Sequence, residues 1–161
     1  MNKKFLIIAS SIVLMVAALS SCLTSNTESI EAYTHNHISD VTGVWYRYIT
    51  VENESSDREV MRKVELDGIE RVIDEEARLV TIKVNPSQGR LNSIPEAARA
   101  ELSVSNIGVV VALPTAARLF PVGNSPKQGI NGGWSKPNKY IVRAANGDEA
   151  EWTIKITEFN K

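Results

Sequence analysis

Several short runs between residues 44 and 156 of this sequence carry apolar side chains at a period of two, separated by turn residues, and the run over 108–113 is continuously apolar. Strands half buried on one face give that alternation, and helices do not. The clearest run is Glu151-Trp152-Thr153-Ile154-Lys155-Ile156, in which Trp152, Ile154 and Ile156 share one face while Thr153 and Lys155 take the other. Tyr140-Ile141-Val142-Arg143-Ala144 precedes it across Asn146-Gly147, a dipeptide that tolerates the positive φ angles of a tight hairpin. Residues 44–51, rich in aromatic and β-branched side chains, predict a further strand, as do 59–66, 69–74, 79–84 and 108–113. Turn signals stand at 53–57 and at Asp67-Gly68, where a second hairpin is expected, and Pro86 stops the fourth run. Residues 33–38 are a candidate for pairing at a sheet edge. The one good helical stretch, 95–102, gives a turn or two, or else leads into a strand over 101–105. Residues 114–137, interrupted by prolines and glycines, show no period at all. About seven short strands in one domain predict an all-β fold, an immunoglobulin-like antiparallel β-sandwich.

The sandwich is expected to follow an export signal and a short tether. Lys3 and Lys4 precede an uncharged apolar stretch that ends at Leu19. That is the layout of a secretory leader, and it is short of the roughly 20 apolar residues a spanning helix needs. Leu19-Ser20-Ser21-Cys22 then resembles the lipobox of bacterial lipoproteins. The resemblance implies that the Cys22 thiol is alkylated by a diacylglyceryl group and that the chain is cut just before it. Each buried methylene contributes about 0.8 kcal/mol, so two or more acyl chains hold a protein on a membrane. The expected division is a leader over 1–21, a lipidated cysteine and flexible tether over 22–40, and the sandwich domain over 41–161.

Cysteine occurs once in the chain, so no disulfide can staple the domain and stability must come from packing and strand pairing. The chain has 18 basic and 19 acidic side chains, and loss of Lys3 and Lys4 with the leader leaves 16 against 19. A mildly acidic domain without a basic stripe is a poor nucleic-acid binder, and no such partner is expected.

The C-terminal half resembles an immunoglobulin-like module of Bacteroidetes surface lipoproteins, many of them from glycan-handling loci. The matching residues are Ile73-Asp74, then Val80-Thr81-Ile82-Lys83-Val84-Asn85-Pro86, Trp134-Ser135-Lys136-Pro137, Tyr140 to Gly147, and Trp152 to Ile156. The Ser105-Asn106-Ile107-Gly108-Val109 step meets the pattern loosely, and the stretch from 114 to 133 is longer than usual. The resemblance implies a fold and an envelope setting, and it carries no catalytic motif.

No catalytic constellation is expected. His35 and His37, spaced to share one strand face, lack further metal-ligating neighbours, so they read as part of the tether and no metal or cofactor is expected. Asp74-Glu75-Glu76 is a turn, where adjacent carboxylates rarely face each other across a glycosidic bond. No nucleophile elbow or phosphate-cradling glycine loop occurs. Trp134 and the aromatic strand residues Trp45, Tyr46 and Tyr48 are the candidate ligand contacts, since flat rings stack on sugar faces. For Trp134, a plug at the sandwich end is the stronger of two readings. The expected protein is an outer-membrane lipoprotein, exposed at the surface or facing the periplasm, that binds extracellular carbohydrate without catalysis. The alternative is a structural module that docks another envelope protein through a sheet edge.

Overall fold

The computed structural model describes residues 33–53 and 56–161; the leader, Leu19, Ser20, Ser21, Cys22 and most of the expected tether lie outside these residues. Residues Tyr33–Lys161 form one compact unit. Among the described residues eight strands and two short helices follow in chain order: β1 (Asp40–Asn53), β2 (Ser56–Leu66), β3 (Ile69–Asp74), β4 (Leu79–Val84), α1 (Gln88–Asn92), α2 (Glu96–Glu101), β5 (Gly108–Ala112), β6 (Arg118–Pro121), β7 (Asn138–Arg143) and β8 (Glu149–Phe159). They build an all-β sandwich. One sheet has the order β2-β1-β5 and the other β3-β4-β8-β7-β6.

All pairings are antiparallel except β4 with β8, which run parallel, a departure from the purely antiparallel sandwich expected. A parallel neighbour requires a long connection rather than a hairpin. Here the whole chain from α1 to β7 supplies it. The β7–β8 hairpin turns at Asn146-Gly147 as predicted, with Gly147 at φ 97°. Asp67-Gly68 instead carries the chain from one sheet to the other, because β2 and β3 belong to different sheets. Gly68 is required there on two counts. Its φ is +64°, and a Cβ would stand 2.0 Å from the Asn85 carbonyl oxygen.

Inward-facing residues of both sheets form a single core that includes Val44, Tyr46 and Leu66 from one side and Val80, Ile82, Val142, Trp152 and Ile154 from the other. The helices lie between β4 and β5 in sequence. Ser87 caps α1: its hydroxyl oxygen accepts from Arg90 N at 3.2 Å, while its own N–H and O–H donate to Asp67 at 2.7 and 2.6 Å. Around α2, the Tyr46 hydroxyl donates to the Ala98 carbonyl at 2.7 Å. At its end the Lys161 ammonium donates to the carbonyls of Arg99, Ala100 and Leu102, placing a cation where the helix dipole is negative. No strand forms over 101–105; Leu102 is buried and turns follow.

The packed domain begins before residue 41. Ile38 is fully buried, Ser39 N donates to Ala112 O, and the Trp152 indole N–H donates to Asn36 O at 3.0 Å. The last part of the expected tether is therefore built into the sandwich, although residues 33–38 form no strand.

Candidate functional site

From Val44 to Val51, between two irregularities, strand β1 alternates, so its two faces differ. Val44 and Tyr46 point into the core, while Trp45, Arg47, Ile49 and Val51 point outward. The register sets Trp45 opposite Glu65, Arg47 opposite Lys63, Ile49 opposite Met61 and Val51 opposite Glu59. On the other side Gly43 lies opposite Val110. A Cβ at Gly43 would meet the Trp45 indole nitrogen at 2.9 Å, so the ring lies down over that glycine. The Lys63 ammonium sits 3.8 Å from the centroid of the Trp45 ring.

This outer face exposes several apolar side chains among its charges. Ile49 is 62 % exposed, Val51 51 %, Met61 71 % and Val110 42 %. Strand β5 accompanies β1 only as far as Trp45, so the distal half of the β1–β2 hairpin continues as a two-stranded arm.

Beside Trp45 the segment from Pro126 to Asn131 approaches the sheet and leaves a cavity of about 70 Å³, lined also by Arg47, Gly108 and Gln128. That volume is roughly half the ~150 Å³ of a cavity that admits benzene. Asn131 builds its floor. Its amide oxygen accepts from Arg47 N at 3.2 Å and its amide nitrogen donates to Arg47 O at 2.8 Å and to Asn106 Oδ1 at 3.0 Å. Gly132 follows because a Cβ would stand 2.4 Å from Pro126 Cβ. The stretch without sequence pattern is thus ordered, and it contains β6, which its proline and short length conceal.

Trp134 is not an exposed stacking ring. It is 3 % exposed, donates its indole N–H to Ile107 O at 3.0 Å and stacks on Tyr140 with centroids 6.2 Å apart at 21°. It is the plug. Burial pushes the Tyr140 hydroxyl pKa up to about 12, and that hydroxyl donates to Pro126 O at 3.0 Å. Tyr46 is fully buried, and Tyr48, half-buried, stacks on it at 5.6 Å. Desolvation, then Glu101 and Tyr48, raise the Tyr46 pKa. Of the four aromatic candidates, only Trp45 stands at the outer surface. The polar partners beside it, Asn131 and Gln128, were missed because the sequence around them has no period.

His35 and His37 meet edge to face at 5.6 Å, and no cluster of metal-ligating side chains occurs among the described residues. Asp74 accepts from Ala77 N at 2.9 Å as part of an exposed turn.

A family model described as DUF5018-related matches residues 38–155. The chain belongs to the DUF5018-related family. Its match begins at Ile38, the first fully buried residue among those described, and so takes in β1 and all but the end of β8. The crystal structure of a "putative secreted protein" from Bacteroides fragilis NCTC 9343 is similar to this DUF5018-related chain: 32 % identical, with a TM-score of 0.63, over 80 % of this chain and 99 % of that one. Both likenesses fit the Bacteroidetes-type protein that the sequence motifs resemble. No curated protein matches the chain.

Proposed function

We propose that this DUF5018-related chain is a lipid-anchored, non-catalytic protein of the cell envelope that docks another envelope protein through the outer face of its three-stranded sheet. The Leu19-Ser20-Ser21-Cys22 motif and a relative described as secreted support the setting. The observation that carries the docking reading is the exposure of Ile49, Met61 and Val51 in adjacent rows on the outer face of the β1–β2 arm. Contiguous exposed apolar side chains of this kind mark interaction surfaces. Along the edge strand β2, Asp57, Glu59, Arg62, Lys63 and Glu65 are charges that discourage strand addition, which favours the face over that edge. A photo-crosslinking amino acid at Met61, in cells, tests it. A discrete adduct at Met61 and none at exposed Val72 on the other sheet supports docking; no adduct at Met61 overturns it. Cys22→Ser should at the same time release the chain from the membrane fraction.

Carbohydrate binding is the second reading, favoured by Trp45 at the rim of a cleft with Arg47, Gln128 and Asn131. Affinity electrophoresis against plant and host polysaccharides, with Trp45→Ala beside the parent, decides it. Retardation that this substitution abolishes supports a glycan site, and retardation by none of them removes the reading.

A further inference from the structure

We infer that the occupant of the apolar hairpin face is a second copy of this chain, related by a two-fold axis that lies in the plane of the face and crosses the strands at Ile49 and Met61. The inference rests on the docking reading above and names its partner.

The argument is one of pattern. Along the outer face the paired residues form successive rows: Arg47 with Lys63, Ile49 with Met61, Val51 with Glu59. Rows are spaced by two residues, about 6.7 Å. The first row is cationic, the second apolar, and the third apolar and anionic. Two sheets facing each other across a closed dimer must be related by an axis in the interface plane. An axis along the strands would set each row on itself, bringing the four cations of two Arg47–Lys63 rows together. An axis across the strands through the middle row reverses the order of rows. It sets Ile49 on Ile49 and Met61 on Met61, brings Lys63 of each copy to Glu59 of the other, and lays the Arg47 stem over Val51. Ile49 and Met61 each gain an apolar neighbour, Val51 gains the aliphatic stem of Arg47, and Lys63 meets Glu59.

The same face is ill suited to a bilayer. Arg47 and Lys63 are balanced by Glu59 and Glu65, so it offers no net attraction to anionic headgroups. Lys63, which rests over the Trp45 ring, is within one row of both its places, the indole in the free chain and Glu59 across the interface.

The test uses the full-length lipoprotein in its own membrane. Cys22 is the chain's only cysteine, so an introduced thiol is the sole free one once Cys22 is lipidated. Ile49→Cys treated with a bismaleimide spanning about the 10 Å between packed sheets should give an adduct of twice the chain mass. Val72→Cys, exposed on the other sheet, should not. Lys63→Glu, added to Ile49→Cys, should cut the adduct by about tenfold, and further addition of Glu59→Lys should restore it. An Ile49→Cys chain that gives no doubled adduct, while Met61 still crosslinks to a protein of another size, overturns self-pairing and leaves the docking reading standing. Loss of both signals overturns both. Lys63→Glu with undiminished adduct overturns the two-fold arrangement across the strands.

Discussion

The side-chain amide of Asn131 occupies the place beside Arg47 that a strand residue would fill, accepting from its N–H at 3.2 Å and donating to its C=O at 2.8 Å. Strand β5 begins at Gly108, opposite Trp45, so β1 would otherwise present an unpaired peptide group at Arg47. Removing the amide strands those backbone groups, which costs about 1–3 kcal/mol per buried group left unsatisfied. Asn131→Ala should therefore lower stability by about that amount, the partial exposure of the site keeping it toward the lower end. Asn131→Asp should destabilise as well, since an ionised carboxylate cannot donate to Arg47 O. Urea denaturation of the three proteins checks this, with midpoints that fall at unchanged slope.

Trp134 and Trp45 should separate in their effects. Trp134→Ala empties a fully packed site and is expected to cost about 3–5 kcal/mol. Trp134→Phe keeps a ring against Tyr140 but gives up the indole donor to Ile107 O, so it should fall between Ala and the parent. Trp45→Ala, at a half-buried position, should cost less, about 1–2 kcal/mol. Denaturant midpoints of the set decide the order, and a Trp45→Ala loss equal to that of Trp134→Ala would contradict the geometry.

How much of this could be read beforehand differs by region. The alternation of β8 and the Asn146-Gly147 turn state a hairpin outright, because a tight turn and a two-residue period are local properties. The parallel pairing of β4 with β8 is not local. Nothing in Leu79–Val84 names a partner some 70 residues away. Trp134 was readable as a large ring beside Gly132 and Gly133, but whether it faced water or core depended on Ile107 and Tyr140, which the fold brings to it. Strand β6 and α1 escaped detection because four or five residues are too few to show a period.

Gly68 permits a sharper prediction. Gly68→Ala combines a backbone angle of +64° with a methyl group driven into the Asn85 carbonyl. Strain in the left-handed region alone costs about 1–2 kcal/mol, and here the chain must also shift. Loss of more than about 2 kcal/mol is expected, read as a drop in melting temperature. Gly147→Ala has the same sign of φ but open space around it and should be the milder of the two.

Acid should loosen the domain through Asp40 and Asp67. The Arg71 guanidinium, bonded to Asp40 at 2.5 and 3.1 Å, holds that carboxyl below its ordinary 3.8. The Ser87 hydroxyl and N–H do the same for Asp67. A carboxyl with a depressed folded pKa contributes stability that is complete above its unfolded value and disappears as pH falls through the folded one. Melting temperature should thus decline below about pH 4. Asp40→Asn and Asp67→Asn should each flatten that decline, and an unaltered acid limb in both would remove these groups as its source.

The parallel pairing of β4 with β8 has a consequence for the order of events in synthesis. Strands β3 and β4 have left the ribosome soon after mid-chain, yet they stay a two-stranded fragment of their sheet until β8 appears, since β8 alone bridges them to β7 and β6. Two strands without a third are marginal at best in water. The nascent polypeptide can pair β2, β1 and β5 as soon as β5 has emerged, but it cannot join the two halves of its larger sheet, or close the sandwich around Trp152 and Ile154, until β8 is made.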